Sequence, residues 1–154
     1  MSIGLFATAS AESPYEQLQI AASEPVVVRA AEGRALVADV NRVRSIGRLA
    51  AVTVDELLSQ AALAHALDMA HRKYFGHDSP DGATLPDRLQ AVGFHWSVAA
   101  ENIALAQDEP HANTALMDSA AHRANILDPR VRKIGVAAVG VGAGAALYVE
   151  DFAL

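Results

Sequence analysis

Three ionisable side chains stand where the surrounding sequence does not favour them, and together they could do chemistry. His77 separates a helical pattern from a Pro/Gly turn in "YFGHDSPDG", Glu101 lies in the apolar run "VAAENIALA", and His122 stands near a predicted helix end in "DSAAHRANIL". A carboxylate in an apolar stretch has a desolvation cost unless it is paired, so Glu101 needs a partner that an imidazole could supply. These residues are the first candidates for a functional site.

The spacing of the three residues leaves their role open. His77 and Glu101 are 24 positions apart, Glu101 and His122 are 21 apart, and the sequence has no HExxH zinc signature. A structural hydrogen-bond network and a metal site fit this spacing equally well, and direct catalysis fits it less well. Ser119 beside His122 suggests a nucleophile, but the sequence around it lacks a nucleophile elbow.

The remaining histidines and the single tryptophan have simpler interpretations. His65 falls on an apolar helical stripe and is interpreted as a core histidine bonded to a carbonyl group. His71, His95 and His111 are interpreted as surface or loop residues. Trp96 is interpreted as part of the core or of a cleft wall.

Composition excludes several classes of protein. The 154 residues carry a net charge of −6 with 12 Lys+Arg, which argues against binding nucleic acid or anionic lipid through a large basic surface. The absence of cysteine excludes disulfides, thiolate catalysis and cysteine-ligated zinc. No run reaches the roughly 18 apolar residues of a membrane span, so we do not expect an integral membrane protein. The "GVGAG" segment lies between predicted strands and is not a phosphate loop.

The elements expected to position the candidate residues are helices around a small sheet. Apolar spacing and capping patterns predict four helices, at about 32–47, 53–73, 84–93 and 110–121. The second begins at a capping box formed by Thr53 and Glu56, and the third at one formed by Thr84 and Asp87. Residues 98–106 predict a strand and residues 134–154 a hairpin, so the fold class is α+β, with layers of helices around an antiparallel sheet.

The chain divides into an extension, residues 1–31, and a domain, residues 32–154. Ala9-Ser10-Ala11 before Glu12 resembles the small-residue cleavage site of a signal peptide, although the segment lacks a basic start and a full apolar core. The alternatives are the remnant of a clipped signal and an ordinary N-terminal extension.

Five motifs taken in order resemble one family. "HALDMAHRKYFGHDSPDG", "RLQAVGF", "AENIA", "MDSAAHRANILDP" and "IGVAAV" are similar to segments of the CAP superfamily, which comprises cysteine-rich secretory, antigen 5 and pathogenesis-related 1 proteins, in its bacterial SCP-domain form. The resemblance covers about residues 36–154. It implies an α–β–α sandwich with a small central antiparallel sheet and a surface cleft lined by two histidines and acidic residues.

The resemblance also implies which residues line that cleft. The histidine of the family's F-x-H element corresponds to His77, the glutamate of its "EN" element to Glu101, and its later histidine to His122. The family pattern has a second acid after a tryptophan in the preceding helix, but this chain has Leu116 and Ser119 at those places, with Asp118 adjacent. The family's tetrad is therefore expected to be a triad here.

Two imidazoles and one carboxylate are sufficient ligands for Zn²⁺ or another divalent cation with one open position, and the incomplete set predicts weak binding. The resemblance implies a secreted or periplasmic bacterial binding module whose partner is a protein, a lipid or a cell-wall ligand. Two alternatives stay open, because one fold hosts many activities. One is a metal-dependent hydrolase in which Glu101 or Ser119 helps to move a proton, and the other is a structural, interaction or lipid-binding domain without metal.

Overall fold

The computed structural model describes residues 2–3 and 25–154, which contain five helices and six strands. The helices are α1 (Ala30–Ile46), α2 (Glu56–Arg72), α3 (Leu85–Ala91), α4 (Glu109–Asp118) and α5 (Ala120–Ile126). The strands are β1 (Ser2–Ile3), β2 (Val27–Val28), β3 (Thr53–Val54), β4 (Ala99–Ala106), β5 (Lys133–Gly142) and β6 (Ala145–Ala153).

The centre of the sheet is an antiparallel set in which β6 lies between β4 and β5. The short strands extend it: β1 pairs parallel with β4, β2 pairs antiparallel with β5, and β3 pairs parallel with β5. Successive side chains of a strand point to opposite faces, and β6 shows this directly. Tyr148 and Phe152 pack in the cluster of α1, α4 and α5, whereas Leu147 and Val149 pack against α2. The expected α–β–α sandwich of class α+β is confirmed.

The predicted strand and hairpin are also confirmed. Residues 99–106 form β4, and β5 and β6 are joined at Ala143 and Gly144, both with positive φ. The central strands are buried along almost their whole length because helices cover both faces of the sheet. Glu101 and Asn102 are adjacent on β4, so their side chains enter opposite layers.

The start of α2 differs from the sequence-based prediction. Thr53 does not cap this helix, since it lies in β3 and its backbone N–H donates to the Arg132 carbonyl. Asp55 is the N-cap instead, and its carboxylate accepts from the N–H groups of Leu57 and Leu58. The predicted box of Thr53 and Glu56 was wrong because pairing with β5 keeps the chain extended for two further residues.

The start of α3 follows the prediction. The Thr84 N–H and hydroxyl both lie within hydrogen-bond distance of the Asp87 carboxylate, at 2.8 and 2.7 Å. Gly93, at φ +75°, follows the helix end as expected. The capping box of Thr84 and Asp87 is therefore confirmed.

The helix predicted at 110–121 is in fact two helices. The backbone of Ser119 is extended, with ψ 120°, and separates α4 from α5. Periodicity could not show this break, because apolar residues continue across it. His122 accordingly stands near a helix end as predicted, but in the first turn of α5 and not at the close of the helix before it.

The segment before the first helix contributes to the sheet through β2. The cleavage-like Ala9-Ser10-Ala11 segment lies outside the described residues. In the ranges that the structure does describe, none of the helices is both long and apolar enough to cross a membrane.

Candidate functional site

Glu101 is the centre of a buried polar cluster on the α2 side of the sheet. Only 1% of its side chain is exposed, and two basic side chains contact its two oxygens. His77 Nδ1 lies 2.9 Å from Oε1, and Arg88 Nη2 donates to Oε2 at 2.7 Å. The structure thus brings Glu101 and His77 together, and His77 supplies the imidazole that the carboxylate was expected to need.

The charge of Glu101 decides which nitrogen of His77 carries hydrogen. Burial alone would raise the pKa of Glu101, but the hydrogen bond from His77 and the charges of His65 and Arg88 outweigh it and hold the pKa below its usual value. An ionised carboxylate only accepts hydrogen bonds, so Nδ1 of His77 is the donor. In the neutral ring the lone pair is then on Nε2. A carboxylate that fixes an imidazole in this way prepares it to act as a base, an acceptor or a ligand.

His65 belongs to the same cluster, which its sequence position did not reveal. Its Nε2 donates to the Gly76 carbonyl at 3.0 Å, which confirms the interpretation as a core histidine bonded to a carbonyl. The same nitrogen lies 3.8 Å from Glu101 Oε1. Burial lowers the pKa of His65 and outweighs the negative charge of Glu101, which raises it. The ring is therefore neutral near pH 7, and its positive charge acts on the carboxylate only in acid.

A second hydrogen-bond group holds the loop that carries His77. The Asp68 carboxylate accepts from the Tyr74 hydroxyl at 2.6 Å and from the Ser79 hydroxyl at 3.1 Å. Arg88 also donates to the His77 carbonyl at 3.0 Å, so one guanidinium fixes both the backbone of this residue and its carboxylate partner. A histidine after the end of α2 is thereby held against β4.

His122 approaches the cluster from α5, which lies along β4. Its side chain is buried, and its pKa is lowered by burial and by the charge of His77. Two amides attach this helix to the strand: Asn102 Nδ2 donates to the His122 carbonyl at 3.2 Å, and Asn125 Nδ2 reaches the Glu101 carbonyl at 3.5 Å. His122 is therefore near enough to His77 for their charges to interact. The surroundings of these two imidazoles are called the cleft below.

Asp118 and Ser119 were the other candidates for the cleft. Asp118 is exposed at the last residue of α4, and Ser119 is half-buried at the break between α4 and α5. The contacts of the Glu101 carboxylate come from His77 and Arg88 instead. The suggestion that Asp118 takes the place of the second acid stays a prediction.

The three-ligand metal site does not fit the geometry of Glu101. Both of its oxygens face hydrogen-bond donors, and one of these donors is a permanent cation. Across residues 2–3 and 25–154, no three His, Asp or Glu side chains are grouped so that they could hold a metal ion. Binding of Zn²⁺ by His77, Glu101 and His122 stays a prediction, and this arrangement favours Glu101 as the residue that orients His77.

Two further members of the cluster were missed by the sequence analysis. Arg88 stands in α3, where its charge resembled that of an ordinary surface helix residue. Asp151 of β6 lies directly opposite Glu101 and is 1% exposed. Burial and the charge of Glu101 raise the pKa of Asp151 well above its usual value, which favours the neutral form of this carboxyl. The adjacent acids in "YVEDFA", within an otherwise apolar strand, were the signal that could have found it.

A small cavity adjoins the start of β4. It has a volume of about 250 Å³, and its wall includes Trp96, Pro86 and the ion pair of Asp128 and Arg130. Trp96 is half-buried and packs against the cluster of α2 and α3. The tryptophan is thus a wall residue, as expected, but of a cavity whose lining does not include His77 or His122.

Comparison with solved structures places the fold of this chain among SCP domains. An extracellular protein from Bacillus anthracis that contains an SCP domain superposes with a TM-score of 0.73 at 31% identity, over 80% of this chain and 40% of that one. An outer surface protein of Borrelia burgdorferi superposes with a TM-score of 0.78 at 16% identity, over 84% of this chain and 96% of that one. The second likeness shows the fold alone.

Sequence comparison agrees with the structural one. The Bacillus subtilis protein YkwD is 36% identical over 138 residues, which are 89% of this chain and 52% of that protein, so the chain spans about half the length of this relative. The profile of the Cysteine-rich secretory protein family, CAP, matches residues 37–152. With five motifs, the sandwich and the profile in agreement, the chain belongs to the CAP family, in its bacterial SCP-domain form.

Proposed function

We propose that this domain acts outside the cytoplasm as a binding module and that its ligand contacts the cleft around His77 and His122. The extracellular assignment is supported by the Bacillus anthracis protein, which is described as extracellular and is 31% identical to this chain. Because this chain spans only 40% of that protein, the location and activity of the whole molecule belong to the proposal.

The observation that carries the proposal is the state of Glu101. A general base or a metal ligand needs an oxygen that can reach the reacting atom, yet both oxygens of this buried carboxylate are already bonded. By contrast, 12% of the His77 side chain is exposed, and its ring is held in one orientation. A fixed, partly exposed imidazole beside a second imidazole is suited to recognising a hydrogen-bonding or cationic group.

Isothermal titration calorimetry with Zn²⁺ as the probe tests this cleft. We expect weak binding that is lost in both His77→Ala and His122→Ala, since two imidazoles are the groups best placed to contact the ion. Glu101→Gln should retain binding with an affinity lowered by about 10- to 100-fold, which is typical for loss of an orienting residue. His71→Ala, at an exposed histidine of α2, is the control. Binding that is indifferent to His77 and His122 would exclude the cleft as the site.

A hydrolase is the second candidate, and it is favoured by the carboxylate-oriented imidazole. In the pair of Glu101 and His77, a carboxylate orients an imidazole that could act as a base. His77 would be the group that takes a proton from water. This alternative predicts turnover of a peptide, ester, glycan or phosphodiester substrate that is abolished in His77→Ala. We expect no turnover above the buffer rate in such a screen, and a His77-dependent rate would replace the binding module by an enzyme.

A further inference from the structure

Glu150 is a buried acid on the opposite face of the sheet from Glu101. It lies in β6 directly across from Asn102 of β4, and its side chain is 0% exposed. Its Oε2 accepts from Asn102 Nδ2 at 3.0 Å, while its Oε1 is buried without a hydrogen-bond partner among the described residues. Buried polar atoms in folded proteins are nearly always bonded, so an orphaned carboxyl oxygen requires an explanation.

Asn102, the hydrogen-bond partner of Glu150, also contacts the backbone of His122 in the cleft. Asn102 Nδ2 has two hydrogens, and besides Glu150 it donates to the His122 carbonyl at 3.2 Å. Asn102 Oδ1 accepts from Asn125 Nδ2 at 2.9 Å, and Asn125 also reaches the Glu101 carbonyl. Two buried amides therefore connect Glu150 with α5, which carries His122, and with the backbone of Glu101.

The groups that face Glu150 make its charge state sensitive to pH. Glu109 of α4 is the acid that raises its pKa through charge, and Glu109 is itself flanked by Glu32 and Asp39 of α1 and by Asp108. The Glu32 carboxylate is bonded by Tyr148 of β6 and by Arg29, whereas β5 places the apolar Val136 opposite Glu150. From β4 the contact is the neutral amide of Asn102, which in turn donates to the His122 carbonyl of α5.

An ionised Glu150 is therefore disfavoured in this setting. Burial and, to a smaller extent, Glu109 raise the pKa of Glu150 to about 7, against the opposing hydrogen bond from Asn102. When the carboxyl does ionise, its bond from Asn102 becomes charge-assisted and stronger. The amide that also holds the His122 carbonyl is then drawn toward β6.

We propose that Glu150 is a positioning residue for the cleft, which sets the place of His122 against β4 through Asn102 according to whether its own carboxyl carries a proton. The functional meaning of this device rests on the proposed binding role of His77 and His122. The coupling of Glu150 to α5 does not depend on that role, and it can be measured without any ligand.

Nuclear magnetic resonance of the whole chain between pH 5.5 and 8.5 tests the coupling. We expect the side-chain amide signals of Asn102 and the backbone signals around His122 to shift with the same midpoint, near 7, as the Glu150 carboxyl carbon. In Glu150→Gln, which keeps an acceptor for Asn102, the Asn102 shift should vanish. In the control Glu109→Gln it should persist with a lower midpoint, because a like charge has been removed.

Two results would overturn the proposal. One is an Asn102 amide whose signals in the unmodified chain stay constant while the Glu150 carboxyl titrates, and this readout requires no variant to fold. The other is an Asn102 shift that survives in Glu150→Gln. The calorimetric titration with Zn²⁺ is a separate measurement, so loss of the cleft function and loss of the coupling are distinguishable.

Discussion

At the residue scale, Arg88 and Arg72 show that the burial of an ion pair decides how much it contributes to the stability of the fold. Arg88 pairs with a carboxylate that is 1% exposed, whereas Arg72 pairs with Asp68 and Asp81, which are 30% and 65% exposed. Removing one partner of a buried pair leaves a charge that water cannot solvate, while surface pairs are screened. The cluster around Glu101 therefore stabilises the fold only as long as it is complete.

The first prediction compares these two arginines. Arg88→Met should lower the free energy of unfolding by roughly 3 kcal/mol, the usual cost of breaking a buried pair. Arg72→Met should lower it much less, because its ion pairs are exposed to solvent. Denaturant unfolding at pH 7 measures both variants. Equal losses would show that Glu101 does not depend on Arg88 for its charge.

The second prediction concerns acid. Because the pKa of Glu101 is lower in the folded chain than in the unfolded one, its contribution to stability is present above the unfolded pKa, at pH of about 4.5, and is lost as the pH falls through the folded pKa. Glu101→Gln has no such charge and should lose less stability than the unmodified chain between pH 5 and pH 3. Parallel acid titrations followed by circular dichroism make the comparison, and identical slopes would contradict it.

At the element scale, the contact between α2 and β5 depends on a missing side chain. A Cβ atom on Gly135 would lie 2.1 Å from the backbone carbon of Leu58, a distance that no neighbour can accommodate by moving a side chain. At Gly33 in α1 the nearest atom is Val136 Cγ2 at 3.6 Å, an ordinary contact. The first glycine sets how closely helix and strand approach, and the second only reduces the stability of its helix.

The third prediction follows from these two glycines. Gly135→Ala should destabilise the fold by at least about 3 kcal/mol, the upper range for overpacked sites, because α2 must move away from β5. Gly33→Ala should stabilise it by about 0.5–1 kcal/mol, since alanine is the better helix former. Thermal unfolding of both variants tests this prediction. If Gly135→Ala is as stable as the unmodified chain, α2 and β5 pack less closely than the structure shows.

The fourth prediction tests the corrected start of α2. Asp55→Ala should cost about 1 kcal/mol of stability, because two backbone N–H groups lose their acceptor, whereas Thr53→Ala should change it by less than about 0.5 kcal/mol. Asp55 also pairs with Lys133, so Asp55→Asn, which keeps the cap without the charge, separates the two contributions. A larger loss in Thr53→Ala than in Asp55→Ala would restore the original capping box.

The sequence predicted well those helices and strands whose formation depends on residues close together in the chain. The hairpin of β5 and β6, strand β4 and the capping box at Thr84 all follow from neighbouring residues. The strand at Thr53 was missed because pairing with the distant β5 decides it, and the break at Ser119 was missed because the apolar spacing continues across it. At the site, the need of Glu101 for a partner was visible, but Arg88 and Asp151 were not, since only the folded sheet brings them to it.

At the scale of the whole molecule, the sheet separates Glu101 from two other buried acids, Glu109 and Glu150, whose pKa values shift in the opposite direction. On the α2 face Glu101 is held ionised by His77 and Arg88. On the other face neither Glu109 nor Glu150 forms an ion pair with another described residue, and burial raises the pKa of each to about 7. Glu101 thus loses its contribution to stability in acid, whereas Glu109, Glu150 and also Asp151 beside Glu101 lose theirs as the pH rises.

The fifth prediction is the resulting pH profile of the fold. The pKa values of Glu109 and Glu150 are higher in the folded chain than in the unfolded one. Their contribution to the stability of the fold is therefore complete below a pH of about 4.5 and is lost as the pH rises toward 7. The unfolding temperature should therefore fall by several degrees between pH 5.5 and 8, and Glu150→Gln should flatten much of that fall. Scanning calorimetry across this range measures it, and an unfolding temperature that rises with pH would contradict the assignment.

The central claim is that Glu101 is an ionised carboxylate that orients His77, and the protonation of the His77 ring tests it most directly. Nitrogen-15 correlation spectra of the imidazole distinguish the two neutral tautomers. We predict that the neutral ring of His77 carries its hydrogen on Nδ1, and that Glu101→Ala removes this preference. A neutral ring with its hydrogen on Nε2 would contradict the claim, because Nδ1 would then offer no hydrogen to the carboxylate.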